Sequence, residues 1–86
     1  MKEPCPCCGH QVFEEKGRYE ICPICYWEDD YVQSVNPDTE GANTLTLREA
    51  QLHFMEFGAC DRESIKHVRK PKKHEKKHSS WKSLHD

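Results

Sequence analysis

A small metal-stabilised α+β domain is predicted by three features. They are two C-P-x-C pairs, one capped amphipathic segment, and a chain of 86 residues too polar to build a large apolar core. With 35% hydrophobic and 33% charged residues and a mean hydropathy of −1.00, burial alone leaves such a chain marginal. The gain of ~25 cal/mol per Å² of buried apolar area is nearly cancelled by ~1.5 kcal/mol of conformational entropy per ordered residue. Staples are needed, and six cysteines are available to make them.

Compartment decides between disulfides and metal. The opening MKEPCPCC has no apolar core of a secretory signal, and no run approaches the ~18 apolar residues of a membrane span. The expectation is a soluble, cytoplasmic, monomeric protein with no membrane contact, where paired cysteines favour metal. Charge is divided along the chain: residues 1–65 hold 5 basic and 13 acidic side chains, a net of −8, and residues 66–86 hold 8 and 2, a net of +6. The predicted organisation is a cysteine-rich domain over residues 1–71 and a basic, Lys/His-rich, disordered tail over 72–86.

The elements follow in order. Gln11–Glu14 and Tyr19–Ile21 flank Glu15-Lys16-Gly17-Arg18, and Gly17 suits the positive φ of a hairpin loop, so a two-stranded ribbon is expected there. Residues 28–45 read as loop and turn, with one short strand at Tyr31–Val35; a segment this long needs an anchor. Thr46-Leu47-Arg48-Glu49 is a capping box and Gly58 a stop signal, which predicts a helix over Leu47–Phe57. Its apolar face is Leu47, Ala50, Phe54 and Phe57, widened by Leu52 and Met55, and it is expected to lie on Val12, Phe13, Ile21 and Trp27. Asp61 is placed to cap a further short turn ending before Pro71.

The cysteine spacing is C-x2-C-x13-C-x2-C when read through Cys5, Cys8, Cys22 and Cys25. Two thiolates separated by two residues converge on one ion when the intervening loop is tight. Proline after the first cysteine pre-sets φ, and Gly9 after the first pair permits a left-handed turn. Written twice and brought together, these knuckles give a four-thiolate site for one structural Zn2+, an arrangement zinc favours, although the sequence leaves zinc against iron open. A slip of register onto Cys7 is the alternative; it would discard the turn at Gly9. His10 reads as the start of a strand, and Cys60 as a lone buried thiol. A closed all-sulfur site has no open position for chemistry at the metal.

Two other motifs carry less. His74-Glu75-Lys76-Lys77-His78 matches the zinc-protease pattern H-E-x-x-H, but it stands among lysines after Pro71 with no third ligand, and reads as coincidence. Cys22-Pro23-Ile24-Cys25-Tyr26 is similar to a dithiol redox site, yet no βαβ alternation surrounds it.

The words PCPCCG, YEICPICYWEDD, GAN and EFGA, in this order over Pro4 to Pro71, resemble the cysteine-rich CPCC family of small bacterial proteins. The resemblance implies Cys5, Cys7, Cys8, Cys22 and Cys25 as signature residues, with Trp27, Glu28, Asp29, Asp30, Gly41, Ala42, Asn43, Phe57 and Gly58. It brings no established activity, and the tail from Lys72 lies outside the pattern. It also implies that Glu28, Asp29, Asp30, Gly41, Ala42 and Asn43 form a surface for a protein partner. The expected fold is zinc-ribbon-like or treble-clef-like, a double knuckle with a β-hairpin and a C-terminal helix. The expected function is an interaction module binding another protein. Nucleic-acid binding through residues 66–86, with Trp81 for stacking, is the alternative, and thiol redox chemistry at the Cys22–Cys25 pair a second one. Were it an enzyme, Glu28, Asp29, Asp30 and His53 would have to share one cleft.

Overall fold

The computed structural model describes residues 2–86. Strand β1 (Glu3–Pro4) pairs antiparallel with β2 (Gln11–Phe13), in a register of Glu3 with Phe13 and Pro4 with Gln11. The turn of this hairpin is the first knuckle itself: Cys5 N donates to the His10 carbonyl (2.8 Å) and Gly9 N to the Cys5 carbonyl (2.7 Å). The second knuckle repeats the device. Cys22 N donates to the Trp27 carbonyl (2.9 Å), Tyr26 N to the Cys22 carbonyl (2.8 Å), and Ile21 bridges Glu28 antiparallel.

The expected ribbon is therefore corrected. Gln11–Glu14 does not pair with Tyr19–Ile21, because each segment is already taken by the far side of its own knuckle. Gly17 does adopt a left-handed φ of 72°, as its place in the loop predicts.

Tyr31–Val35, expected as a strand, is instead a short helix, α1. The Asp30 carboxylate caps it, accepting from Val32 N (2.9 Å) and Gln33 N (3.3 Å), and this outweighs the strand preference of two valines. The anchor that residues 28–45 needed is Gln33, fully buried. Its Nε2 donates to the Thr39 and Leu45 carbonyls (3.0 and 2.9 Å), and its Oε1 accepts from Asn43 N and Nδ2 (3.1 and 2.8 Å).

Helix α2 spans Leu47–Phe57, with the Thr46–Glu49 capping box formed and Gly58 left-handed at its C-terminal end. It buries Leu47, Ala50 and Gln51; Leu52 and Met55 face solvent at 42% and 62% exposure, so the widened apolar face is corrected. Ile21, expected beneath the helix, is 44% exposed. The helix rests on a core in which Phe13, Ile24 and Trp27 surround all six cysteines, with Val12, Leu45 and Phe54 at its margin. Sulfur stands where a larger domain would place aliphatic side chains. A 3-10 helix, Arg62–His67, follows, capped by Asp61 through Ser64 N (2.8 Å).

The stretch expected as a disordered tail packs instead. Gln11 N donates to the Lys76 carbonyl (3.0 Å), His78 N to the Gly9 carbonyl (3.0 Å), and Trp81 Nε1 to the Pro6 carbonyl (3.0 Å). The radius of gyration, 11.3 Å, is that of a chain compact to its end, about 12 Å being usual for this length. No helix among the described residues is long and apolar enough to cross a membrane.

Candidate metal centre

Each C-P-x-C turn aims two sulfurs to the same side. Beyond the second cysteine of each, the chain must turn left-handed, and it does so at Gly9 (φ 82°) and Tyr26 (φ 72°). Glycine does this freely. A tyrosine loses about 1–2 kcal/mol there, partly offset where Tyr26 stacks on His67, with ring centroids 4.8 Å apart and planes at 20°. Ile24 N donates to Cys22 Sγ (3.4 Å), holding that sulfur inside its loop.

The result is one cluster. The sulfurs of Cys5, Cys8, Cys22 and Cys25 all lie within 4.8 Å of one another and are wholly buried. Across the knuckles, Cys5 Sγ is 3.6 Å from Cys25 Sγ, and Cys8 Sγ is 3.8 Å from Cys22 Sγ. Four ligands at ~2.3 Å around a tetrahedral ion stand about 3.8 Å apart, so these sulfurs fit one ion. They are far too distant for disulfide bonds, which need ~2.05 Å, and all six cysteines are free. Tetrahedral sulfur at this spacing suits iron as well as zinc.

Electrostatics points the same way. Burial pushes the Cys5 and Cys25 thiols well up, while hydrogen bonds from Cys25, Cys5 and Cys8 draw Cys22 far down. Burial thus disfavours charge on Cys5 and Cys25, whereas the neighbouring thiols favour it on Cys22. Four thiolates in so dry a place require a cation to balance them.

Cys7 and Cys60 stand outside the four. Cys7 is 1% exposed, and burial raises its thiol. Cys60 is pushed up to about 12, chiefly by burial, and its backbone N–H donates to the Cys25 carbonyl (2.7 Å), steadying the second knuckle from behind.

A family model described as cysteine-rich CPCC matches residues 3–75. The chain belongs to the cysteine-rich CPCC family. No curated protein matches it. In the CPCC word of this family member, the first and fourth letters, Cys5 and Cys8, lie in the sulfur cluster and the third, Cys7, does not.

The acidic and GAN residues do come together, with Asp29, Asp30 and Asn43 buried, Glu28 half-buried, and Gly41 and Ala42 exposed. Asp29 (2% exposed) accepts from Gly17 N (2.7 Å), and Asp30 (6%) accepts from Ala42 N (3.0 Å) besides capping α1. Asn43 spans the Glu28 backbone, accepting from its N–H (3.0 Å) and donating to its carbonyl (2.8 Å). A Cβ at position 41 would sit 2.6 Å from Asp30 Oδ2, which is why glycine precedes the Ala-Asn pair. Desolvation raises the Asp29 carboxyl, whereas the Ala42 amide, above all, lowers that of Asp30. Glu28, Asp29, Asp30 and His53 share no cleft: Asp29 and Glu28 line separate cavities, and Asp30 and His53 line neither. His53 donates instead to the Cys60 carbonyl (2.8 Å).

Sequence reasoning missed Gln33, Gln51 and Trp81 as fixed points. Gln51 had a signal, since it falls on the apolar face of α2 between Ala50 and Phe54; it is 3% exposed and donates to the Pro6 carbonyl (2.9 Å).

Proposed function

We propose that this CPCC protein is a small interaction module folded around one structural zinc ion, which Cys5, Cys8, Cys22 and Cys25 would hold with no chemistry at the metal. The observation that carries this reading is the buried cluster of four sulfurs, all within 4.8 Å of one another. Such a site excludes water from the ion, and zinc without redox activity suits a staple. A metal of this kind contributes ~10–16 kcal/mol to folding in small peptides, ample for a thin core.

The partner-facing atoms are the outward parts of the acidic and GAN region, not its carboxylates as a whole. Asp29, Asp30 and Asn43 brace from within. Ile21, Tyr26, Glu28 and Ala42 edge a shallow depression of about 200 Å³ in front of Cys60. Ile21 and Tyr26 are 44% and 38% exposed. An apolar pair beside a carboxylate suits a protein partner better than a polyanion. Nucleic-acid binding through residues 66–86 has weaker support, because Trp81, the stacking residue, is tied to the Pro6 carbonyl. Redox chemistry is also disfavoured: Cys22 and Cys25 are 0% exposed within the cluster, whereas a reactive pair needs an accessible thiolate.

Metal analysis of the reduced, purified protein tests the first part. One zinc per chain, with unfolding on chelation, supports it; a folded, metal-free protein overturns it. Affinity capture from the native host with wild type and Ile21→Asp tests the second. A partner retained equally by both removes the proposed surface.

A further inference from the structure

The first knuckle has a free backbone edge in the hairpin, and the chain's own C-terminus occupies it. The His10 carbonyl accepts from Cys5 N, while the Gly9 carbonyl and the Gln11 N–H face the other way. There residues 76–78 lie alongside in a single antiparallel bridge beside the two-stranded sheet: Gln11 N donates to the Lys76 carbonyl, His78 N to the Gly9 carbonyl, and His10 bridges Lys77.

Side chains secure both ends of this segment. Upstream, the Glu75 carboxylate accepts from Arg69 Nη1 and Nη2 (2.7 and 2.8 Å) and from Lys72 N (2.7 Å), while the Glu75 carbonyl accepts from His10 Nδ1 (2.6 Å). Downstream, the Trp81 ring lies on Gly9 so closely that a Cβ there would be 2.5 Å from Cε3. Gln51 Oε1 accepts from Leu84 N (2.8 Å), and His85 Nε2 donates to the Arg48 carbonyl (2.8 Å). Strand addition to an open edge, with an aromatic anchor in a small-residue slot, is how extended peptides are recognised by folded domains. The family match ends at Glu75, so the clasp lies within it and the bridging segment and anchor lie beyond.

We propose that the Gly9–Gln11 edge, with the slot above Gly9 and the Pro6 carbonyl, is a docking site for an extended, lysine-rich partner peptide bearing a tryptophan, and that residues 76–86 occupy it in cis until displaced. The occupant's chemistry is read from Lys76, Lys77 and Trp81 and from the complementary net charge of −8 over residues 1–65. This edge belongs to the first knuckle, and its use does not depend on the surface beside Cys60 proposed above.

The test uses the full chain, its metal content measured in every sample, and a labelled synthetic peptide of residues 72–86 followed by fluorescence anisotropy. Trp81→Ala, which weakens the cis occupant, is expected to bind the peptide at least tenfold more tightly than wild type does. The same peptide with alanine for its tryptophan is expected to lose at least tenfold. Equal binding by wild type and a folded Trp81→Ala chain, or equal binding of the two peptides, overturns the proposal. Hydrogen exchange on the wild type decides independently, whether or not the variant folds. The Gln11 and His78 amides are expected to exchange at least tenfold faster than those of Cys5 and Cys22, because the strap opens while the knuckles stay closed. Equal protection of all four would show the strap to be a permanent part of the core.

Discussion

Exchanging Cys8 or Cys7 for serine separates a ligand from its neighbour within one four-letter word. Cys8 Sγ lies 3.8 Å from Cys22 Sγ in the four-sulfur cluster. If a structural metal contributes ~10–16 kcal/mol, an equal share among four thiolates is about 2.5–4 kcal/mol each, or roughly two to three decades of metal affinity. Cys8→Ser is thus expected to weaken binding by at least a hundredfold and to leave a chain that unfolds in mild chelator. Cys7→Ser buries a hydroxyl where a thiol sat at 1% exposure. Its cost falls on the fold, about 1–3 kcal/mol if the hydroxyl finds no partner, and its metal stoichiometry stays at one. Competition against a chromophoric zinc chelator, paired with urea unfolding of the loaded proteins, measures both quantities. A Cys7→Ser protein that loses metal affinity as far as Cys8→Ser does would refute the assignment and move the register to Cys7.

Three further outcomes follow from the bracing around the site. At pH 7, Asp29→Asn is expected to raise the melting temperature and Asp30→Asn to lower it. The raised Asp29 carboxyl means that the folded protein loses stability as pH rises toward the raised value, so ionisation is a cost at neutrality. The depressed Asp30 carboxyl contributes stability above its unfolded pKa and loses it as pH falls; shifts of the same sign in thermal melts of the metal-loaded variants would contradict this. Gln33→Leu removes four hydrogen bonds from a fully buried site. It is expected to cost about 3 kcal/mol and to speed amide exchange across residues 36–45; unchanged urea unfolding would rule that role out. Gly9→Ala is expected to drive the Trp81 indole off the Pro6 carbonyl at a backbone cost of about 1–2 kcal/mol without releasing metal, since Tyr26 carries a side chain at the equivalent turn. An unmoved indole N–H resonance would show that the slot has room to spare.

Elements set by near neighbours in the chain were legible in advance. Helix α2 runs from the Thr46 cap to Gly58 as its capping box and stop signal require, and the spacing of Cys5, Cys8, Cys22 and Cys25 anticipated the cluster they form. The hairpin was misread because alternating residues around Gly17 look like two strands, whereas the tighter turns lie in the cysteine loops. Asp30 was read as acidic surface, since nothing local reveals that Ala42, twelve residues on, delivers an amide to it.

The amino-acid order alone determined the pairing of cysteines into knuckles and the capped helix, because each depends on residues within a few positions. Tertiary structure alone decided which carboxylates face inward, what Gln33 holds, and that the basic C-terminus lies along the first knuckle. Those outcomes turn on long-range hydrogen bonds such as Trp81 to Pro6, whose partners are neighbours only once the chain has folded, so no local pattern announces them.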